Sequence, residues 1–414
     1  MREQCVIVGA GHAGSQAAAS LRQEGYAGRI VLVSDEHDLP YHKPPLSKAF
    51  LKSPENPALV LRNADFYRDN EIEIVHGATV DEIDRPAMAV RLGDGTNLSY
   101  THLVLATGSR PRVPALDGAT LEGVVSLRTL SDAKRLNELL QGAADVVIVG
   151  GGFIGMELAH TLTVLGRKVT VLEAAPRVLA RSVAPEVSRH VHARSLAAGI
   201  DIIAQGKVAA IGDDNGKLSH VRLEGGRVLP ADLVILGVGA VPNIELAVTA
   251  GLAAENGVVV DDHMRTSDPA ILAVGDCASF THWQAGRQLR LESVQNATDQ
   301  AKNAAKTIAG RPAPYRDVAW FWSDQGDMKL QTAGLAFDAD HRIITGSPEA
   351  NAFAVYHFRG AELVAVDSVN RPADHMIARK LLAAGISPSE ADVLAGPQRL
   401  KELLSQTPAV LENS

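Results

Sequence analysis

Apolar and polar positions along this chain fall into blocks, and one block occurs twice. Near the start, the apolar run Val6–Val8 meets three glycines, Gly9, Gly11 and Gly14, and passes into a stretch with helical spacing, Ala13–Gln23. The run RIVLVSD follows and ends on Asp35. The second copy is VVIVGGGFIGMEL, residues 146–158, with Gly150, Gly152 and Gly155, a helix, and then RKVTVLE ending on Glu173. Short apolar runs bounded by glycine and alternating with helical stretches predict parallel strands buried on both faces. Three more runs read as strands entering turns: LVLATGSRPRVP (103–114), LVILGVGAVPN (233–243) and TSDPAILAVGDCA (266–278).

Each glycine in these turns has a physical task. The first allows the tight turn, the second lets backbone approach a pyrophosphate, and the third lets helix and strand pack closely. The helix N-terminus then offers N–H groups to phosphate, and an acid at the end of the next strand accepts from ribose hydroxyls. Two copies, each with strand, helix and acid in order, predict two dinucleotides side by side, FAD and NAD. The likeness between 103–114 and 233–243 predicts that the second unit, 112–242, is inserted into the first. Asp276 lies at a strand end before a helix, placed to bond polyol hydroxyls, to cap the helix, or both.

Composition narrows the function. The chain has 414 residues, 46% of them hydrophobic, enough for several cores. A formal net charge of −8 argues against a nucleic-acid-binding or membrane-coating surface. No apolar run reaches the ~18 residues of a membrane-spanning helix. The first strand begins near Cys5, which leaves no room for a signal peptide and predicts a cytoplasmic protein. Cys5 and Cys277 are the two cysteines, far apart in sequence, so zinc, an iron–sulfur cluster and a redox disulfide lack support and no metal is expected. No Ser-His-Asp or paired-carboxylate arrangement calls for explanation.

With these features the chain resembles the FAD-dependent pyridine-nucleotide oxidoreductases. More narrowly it is similar to the ferredoxin reductases of bacterial oxygenase systems, a group that includes putidaredoxin reductase and the reductases of biphenyl-type dioxygenases. PYHKPPLSKAFL (40–51), LRTLSDA (127–133), ESVQNATDQA (292–301), WFWSDQGD (320–327) and VNRPAD (369–374) carry the narrower likeness. It implies an α/β, glutathione-reductase-like chain: an FAD domain of 1–111 and 243–314, an NAD domain of 112–242, and a C-terminal α+β interface domain of 315–414.

Carried over by position, FAD contacts fall on Gly9, Gly11, His12, Ala13, Gly14, Asp35, Lys48, Val80, Ala106, Thr107, Gly108, Arg128, Asp276, Val294 and Trp322. NAD contacts fall on Gly150, Gly152, Phe153, Ile154, Gly155, Glu173 and Gly239. Several residues have plainer readings too: Val80 as core, Arg128 as a surface ion pair, Trp320 and Trp322 as interdomain packing, His12 as a turn residue. The resemblance implies hydride transfer from NADH to FAD, then single electrons to a 2Fe–2S ferredoxin serving a cytochrome P450 or a ring-hydroxylating dioxygenase. Lys48 and Glu157 match a lysine–glutamate pair spanning two domains. Glu173 favours NADH over NADPH, while Arg177 and Arg181 weigh the other way. Lys302 matches a docking position for ferredoxin, with Arg290, Arg379 and Lys380 as further candidates. A monomer or weak homodimer is expected.

Rival readings are weighed by the same residues. A disulfide reductase needs a cysteine pair, and a peroxidase-type member needs a cysteine near PPLSK, where residues 40–52 have none. A rubredoxin reductase, a monodehydroascorbate-type reductase and a slow-turnover signalling flavoprotein like apoptosis-inducing factor remain alternatives.

Overall fold

The computed structural model describes residues 3–54 and 59–406. Its first sheet is five-stranded and parallel, in the spatial order Ile271–Ala273, His102–Leu105, Gln4–Val8, Arg29–Val33, Ile72–Val75. The central strands are buried almost end to end, as strands covered on both faces must be. The helix His12–Gln23 packs against Val294–Ile308. Buried alanines line that contact, Ala13, Ala17 and Ala18 on one helix and Ala297, Ala301, Ala304 and Ala305 on the other, and their small side chains permit close approach.

The second sheet repeats the design: Asp201–Ala204, Lys168–Glu173, Asp145–Val149, Leu233–Leu236 and Val124–Val125, all parallel. Chain leaves the first unit through Ser109–Pro111 and returns through Ala240–Pro242, and these two segments pair antiparallel with each other. The two crossings form a two-stranded neck between the sheets. Asn243 stitches it: its side-chain amide donates to the Thr107 carbonyl (2.9 Å), its own carbonyl accepts from the Thr107 hydroxyl (2.7 Å), and Arg110 donates to its side-chain oxygen (2.8 Å).

The third sheet is antiparallel, ordered Trp320–Gln325, Met328–Gly334, Glu362–Val369, Ala352–Arg359, His341–Ser347. Strand residues alternate between two faces. Ala354, Tyr356 and Phe358 turn toward the helix Pro372–Ala383, while Phe353 and Val355 join the core of the second unit. The C-terminal domain is thereby seated on the inserted unit. Cys5 and Cys277 are both free thiols and buried, and among the described residues no helix is long and apolar enough to cross a membrane.

Candidate functional site

Both glycine turns are dictated by backbone crowding. Gly9 sits at φ 104°, and a Cβ there would lie 2.3 Å from the Ala106 carbonyl oxygen. A Cβ on Gly14 would lie 1.8 Å from the Gly9 carbonyl. In the second turn, Gly150 has φ 115° and a Cβ 2.3 Å from the Gly237 carbonyl, and one on Gly155 would meet the Gly150 carbonyl at 2.0 Å. The middle glycines behave oppositely: a Cβ on Gly11 or Gly152 would meet nothing within 4 Å. Each is the N-cap of a helix and provides no side-chain cap, so the first amides face open space. Such a cradle fits a pyrophosphate.

Around the first cradle the structure gathers residues from distant segments. Arg128 reaches Asp276 at 2.7 Å and the Ser109 carbonyl at 3.0 Å, and the Ser109 hydroxyl donates to Asp276 at 3.1 Å. The Gly275 amide donates to Gln300 at 2.8 Å, holding the Asp276 turn to the helix that Val294 begins. A Cβ on Gly108 would lie 3.8 Å from the Arg128 guanidinium, so Ala106, Thr107 and Gly108 edge the same space. His12 is buried, and its Nε2 has no hydrogen-bond partner. Burial, then the charges of His42 and Lys43, push His12 down to about 4, which keeps it neutral. An unpartnered imidazole nitrogen beside an arginine, a lysine and a glycine cradle fits a polyanionic cofactor such as FAD.

Lys43 belongs to this group although sequence reasoning passed over it. Burial and the nearby Arg128 lower its pKa, while Glu36, 3.8 Å away, acts against that shift. Lys43 and Lys48 flank the Pro44–Pro45 turn of one short stretch. Arg62 is another omission: it bonds Ser15 (3.0 Å) and Gln16 (2.8 Å), tying its loop to the first helix.

Lys48 and Glu157 do meet, at 3.0 Å. Glu157 is 3% exposed and accepts from Ser47 at 2.7 Å and Ser323 at 2.6 Å. Lys48 also reaches Asp324 at 3.4 Å. Three domains therefore converge on one ion pair. Trp322, next in the strand, is partly buried between Trp320 and Phe321.

At the second cradle, Glu173 is pinned by backbone: Gly151 N–H donates to one carboxylate oxygen at 2.8 Å and Ala175 N–H to the other at 2.7 Å. Arg177 turns to the carbonyls of Ala180 (2.8 Å) and Val183 (3.0 Å), so its guanidinium holds the loop. Phe153 packs on Phe321 of the C-terminal domain, ring centroids 4.5 Å apart, while Ile154 is 45% exposed. Gly239 lies at the neck, where its carbonyl accepts from Arg112 N–H at 2.9 Å.

Some expected residues lie elsewhere. Gly9 N–H bonds the Val33 carbonyl as Gly150 N–H bonds that of Leu172, which makes Ser34, not Asp35, the counterpart of Glu173. Asp35 is the next residue and is exposed, while Glu36 accepts from Tyr41 at 2.7 Å. Val80 packs on the first core at the start of a small antiparallel sheet, near the segment bonded to Ser34. Arg290 is a correction: its side chain is 8% exposed and is spent on Glu292 (2.6 Å) and the Asp276 carbonyl (3.1 Å), which leaves it unsuited to docking. Lys302 is half exposed and paired with Asp299 at 2.9 Å, Lys380 is exposed, and Arg379 lies over the Trp320 ring at 4.3 Å. Lys302, Lys306 and Arg379 all act on Asp317, whose carboxyl is raised chiefly by burial.

Comparison with known proteins adds independent findings. Residues 3–301 match the pyridine nucleotide-disulphide oxidoreductase family, and residues 320–404 match the reductase C-terminal family. The chain is 44% identical to rhodocoxin reductase of Rhodococcus erythropolis, over 91% of this chain and 89% of that one. Among solved structures, the ferredoxin reductase for the CYP199A2 system of Rhodopseudomonas palustris is 43% identical, with a TM-score of 0.95 over 97% of this chain and 100% of the other. The covalent putidaredoxin reductase–putidaredoxin complex is 37% identical, with a TM-score of 0.93 over 98% and 99%.

Proposed function

The chain belongs to the pyridine nucleotide-disulphide oxidoreductase family, and we propose that within it the protein is an NADH-dependent ferredoxin reductase. The observation that carries this reading is the pair of glycine cradles together with a cross-domain Lys48–Glu157 contact, in a chain whose two cysteines are both buried and free. Bound flavin supplies the chemistry, taking two electrons together from a nicotinamide and giving them up singly.

The protein's own residues divide the remaining work. Gly9, Gly11, His12, Ala13 and Gly14 would hold the FAD pyrophosphate on helix amides, with Arg128 and Lys43 as counter-charges. Asp276, fixed by Arg128 and Ser109, would accept from the polyol chain of the flavin. Ala106, Thr107, Gly108 and Val294 would line the flavin, with Trp322 at its border. Lys48 would present its ammonium to the isoalloxazine ring, where a cation favours the reduced, more negative form. Gly150, Gly152 and Gly155 would hold NAD, and the backbone-pinned Glu173 would accept from its ribose and repel a 2′-phosphate. Arg177 is committed to two carbonyls, which supports NADH over NADPH.

For the acceptor, Lys302, Lys306 and Arg379 gather around Asp317 on a chain of net charge −8, and would be the cations that steer an acidic 2Fe–2S ferredoxin. That ferredoxin would in turn feed a cytochrome P450 or a ring-hydroxylating dioxygenase in the cytoplasm. Reconstitution tests the reading: NADH, the purified flavoprotein and a 2Fe–2S ferredoxin should together reduce cytochrome c. Turnover with a rubredoxin and none with ferredoxin would reassign the acceptor, and a slow reduction with no onward transfer would favour a signalling flavoprotein.

A further inference from the structure

The residues that surround Lys48 and Glu157 are more numerous than an ion pair needs. Glu157 is nearly sealed from solvent, yet its carboxylate accepts two serine hydroxyls in addition to the lysine: Ser47 at one oxygen (2.7 Å), Ser323 at the other (2.6 Å). Ser323 is fully buried, and Gln325 donates to its oxygen at 3.3 Å, which directs the serine's own proton to Glu157. The next residue, Asp324, is half exposed and holds the other side of the Lys48 ammonium at 3.4 Å. Lys48 is thus shared between a buried carboxylate of the inserted domain and an open one of the C-terminal domain.

We propose that Ser323 and Asp324 are positioning residues of the redox centre, through which the C-terminal domain fixes both the direction and the effective charge of Lys48. The inference rests on the reading of Lys48 as the cation beside the flavin. Ser323 keeps one Glu157 oxygen aimed at the lysine, since a buried carboxylate deprived of a donor turns toward whatever donors remain. Asp324 cancels part of the ammonium charge and restrains its long side chain. A domain that would otherwise serve only as a platform therefore helps set the flavin potential.

The test uses the FAD-loaded full chain and reads the flavin midpoint potential together with kcat and KM for NADH with ferricyanide. Asp324→Asn should move the potential to more positive values, because the lysine is then less neutralised. Ser323→Ala should slow flavin reduction about tenfold with KM for NADH unchanged, the size expected for losing a hydrogen bond to a charged group. Ser323→Thr, which retains the hydroxyl, should restore the rate. Unchanged potentials and rates in flavin-replete variants would overturn the proposal, as would a Thr variant as slow as the Ala one. A wild-type protein that NADH cannot reduce would instead defeat the function proposed above.

Discussion

The turn at Gly9–Gly14 and the turn at Gly150–Gly155 share their backbone requirements and differ in what encloses them. In both, a first glycine with positive φ presses on a carbonyl of a neighbouring strand end, and a last glycine presses on the first. In the first unit the residues after the middle glycine are His12 and Ala13, both buried, and Ala13 faces Gly275 under the second helix. In the second unit the same places hold Phe153, resting on Phe321, and Ile154, largely exposed. The first cradle is thus walled by Arg128, Asp276, Lys43 and a neutral histidine, whereas the second is open at its helix end. A walled cradle suits a cofactor that stays, and an open one suits a cofactor that arrives, reacts and leaves.

A smaller contrast follows the same logic. The second turn needs glycine at position 151, because a Cβ there would meet Val178 at 2.9 Å and Glu173 at 3.1 Å. The first turn carries Ala10 at that place, and the smaller Ser34 stands where Glu173 does.

The largest effect expected from this contrast comes from filling each turn. Gly14→Ala forces a Cβ into the Gly9 carbonyl, costing ~3 kcal/mol, and should yield protein that retains no flavin. Gly155→Ala meets the same crowding in the inserted unit and should leave a yellow protein that NADH no longer bleaches. Flavin content after desalting and anaerobic spectra distinguish the two; loss of flavin in both would erase the division of labour.

Next in size is Arg128→Leu, which strips Asp276 of its ion pair and the walled cradle of a cation. Flavin affinity should fall about 100-fold, from losing charge-assisted contacts of ~3 kcal/mol, with NADH affinity unaltered, as flavin release and NADH titration would report. Acid stability comes close behind. His12, His282 and His375 are each pushed down to about 4, chiefly by burial. The unfolded chain binds those protons near pH 6.5, so native stability is complete above that value and declines as pH falls from 6.5 toward 4, by up to ~3 kcal/mol per histidine. In the flavin-free protein, His12→Leu should flatten that slope in urea unfolding, and an unchanged slope would show that His12 is not held neutral. Smallest is Glu173→Ser, which gives the second unit the first unit's residue: KM for NADH should rise about tenfold and discrimination against NADPH should shrink, read from kcat/KM for both.

Much of this arrangement was legible in the sequence because it rests on glycines. A backbone that tolerates no Cβ leaves a sequence mark at each such position, which is why both turns could be read directly. The Lys48–Glu157 contact came through resemblance, and the structure closes it. What escaped has a common cause. Ser34 stands where Glu173 does and accepts from the Glu36 amide at 3.2 Å, as Glu173 accepts from Ala175 at 2.7 Å, an equivalence that backbone register shows and acid spacing does not. Arg290 reads as a surface charge until folding buries it against the Asp276 carbonyl. Ser47 and Ser323 are 276 positions apart by number, and no local pattern brings two serines to one carboxylate.

The division between a resident and a visiting cofactor is tested most directly by desalting the purified protein, confirming its spectrum, and mixing it without air with one equivalent of NADH. The account predicts one flavin retained per chain, no nicotinamide retained before mixing, and rapid bleaching of the flavin band on addition. A colourless desalted protein, or a yellow one that stays fully oxidised, would contradict it.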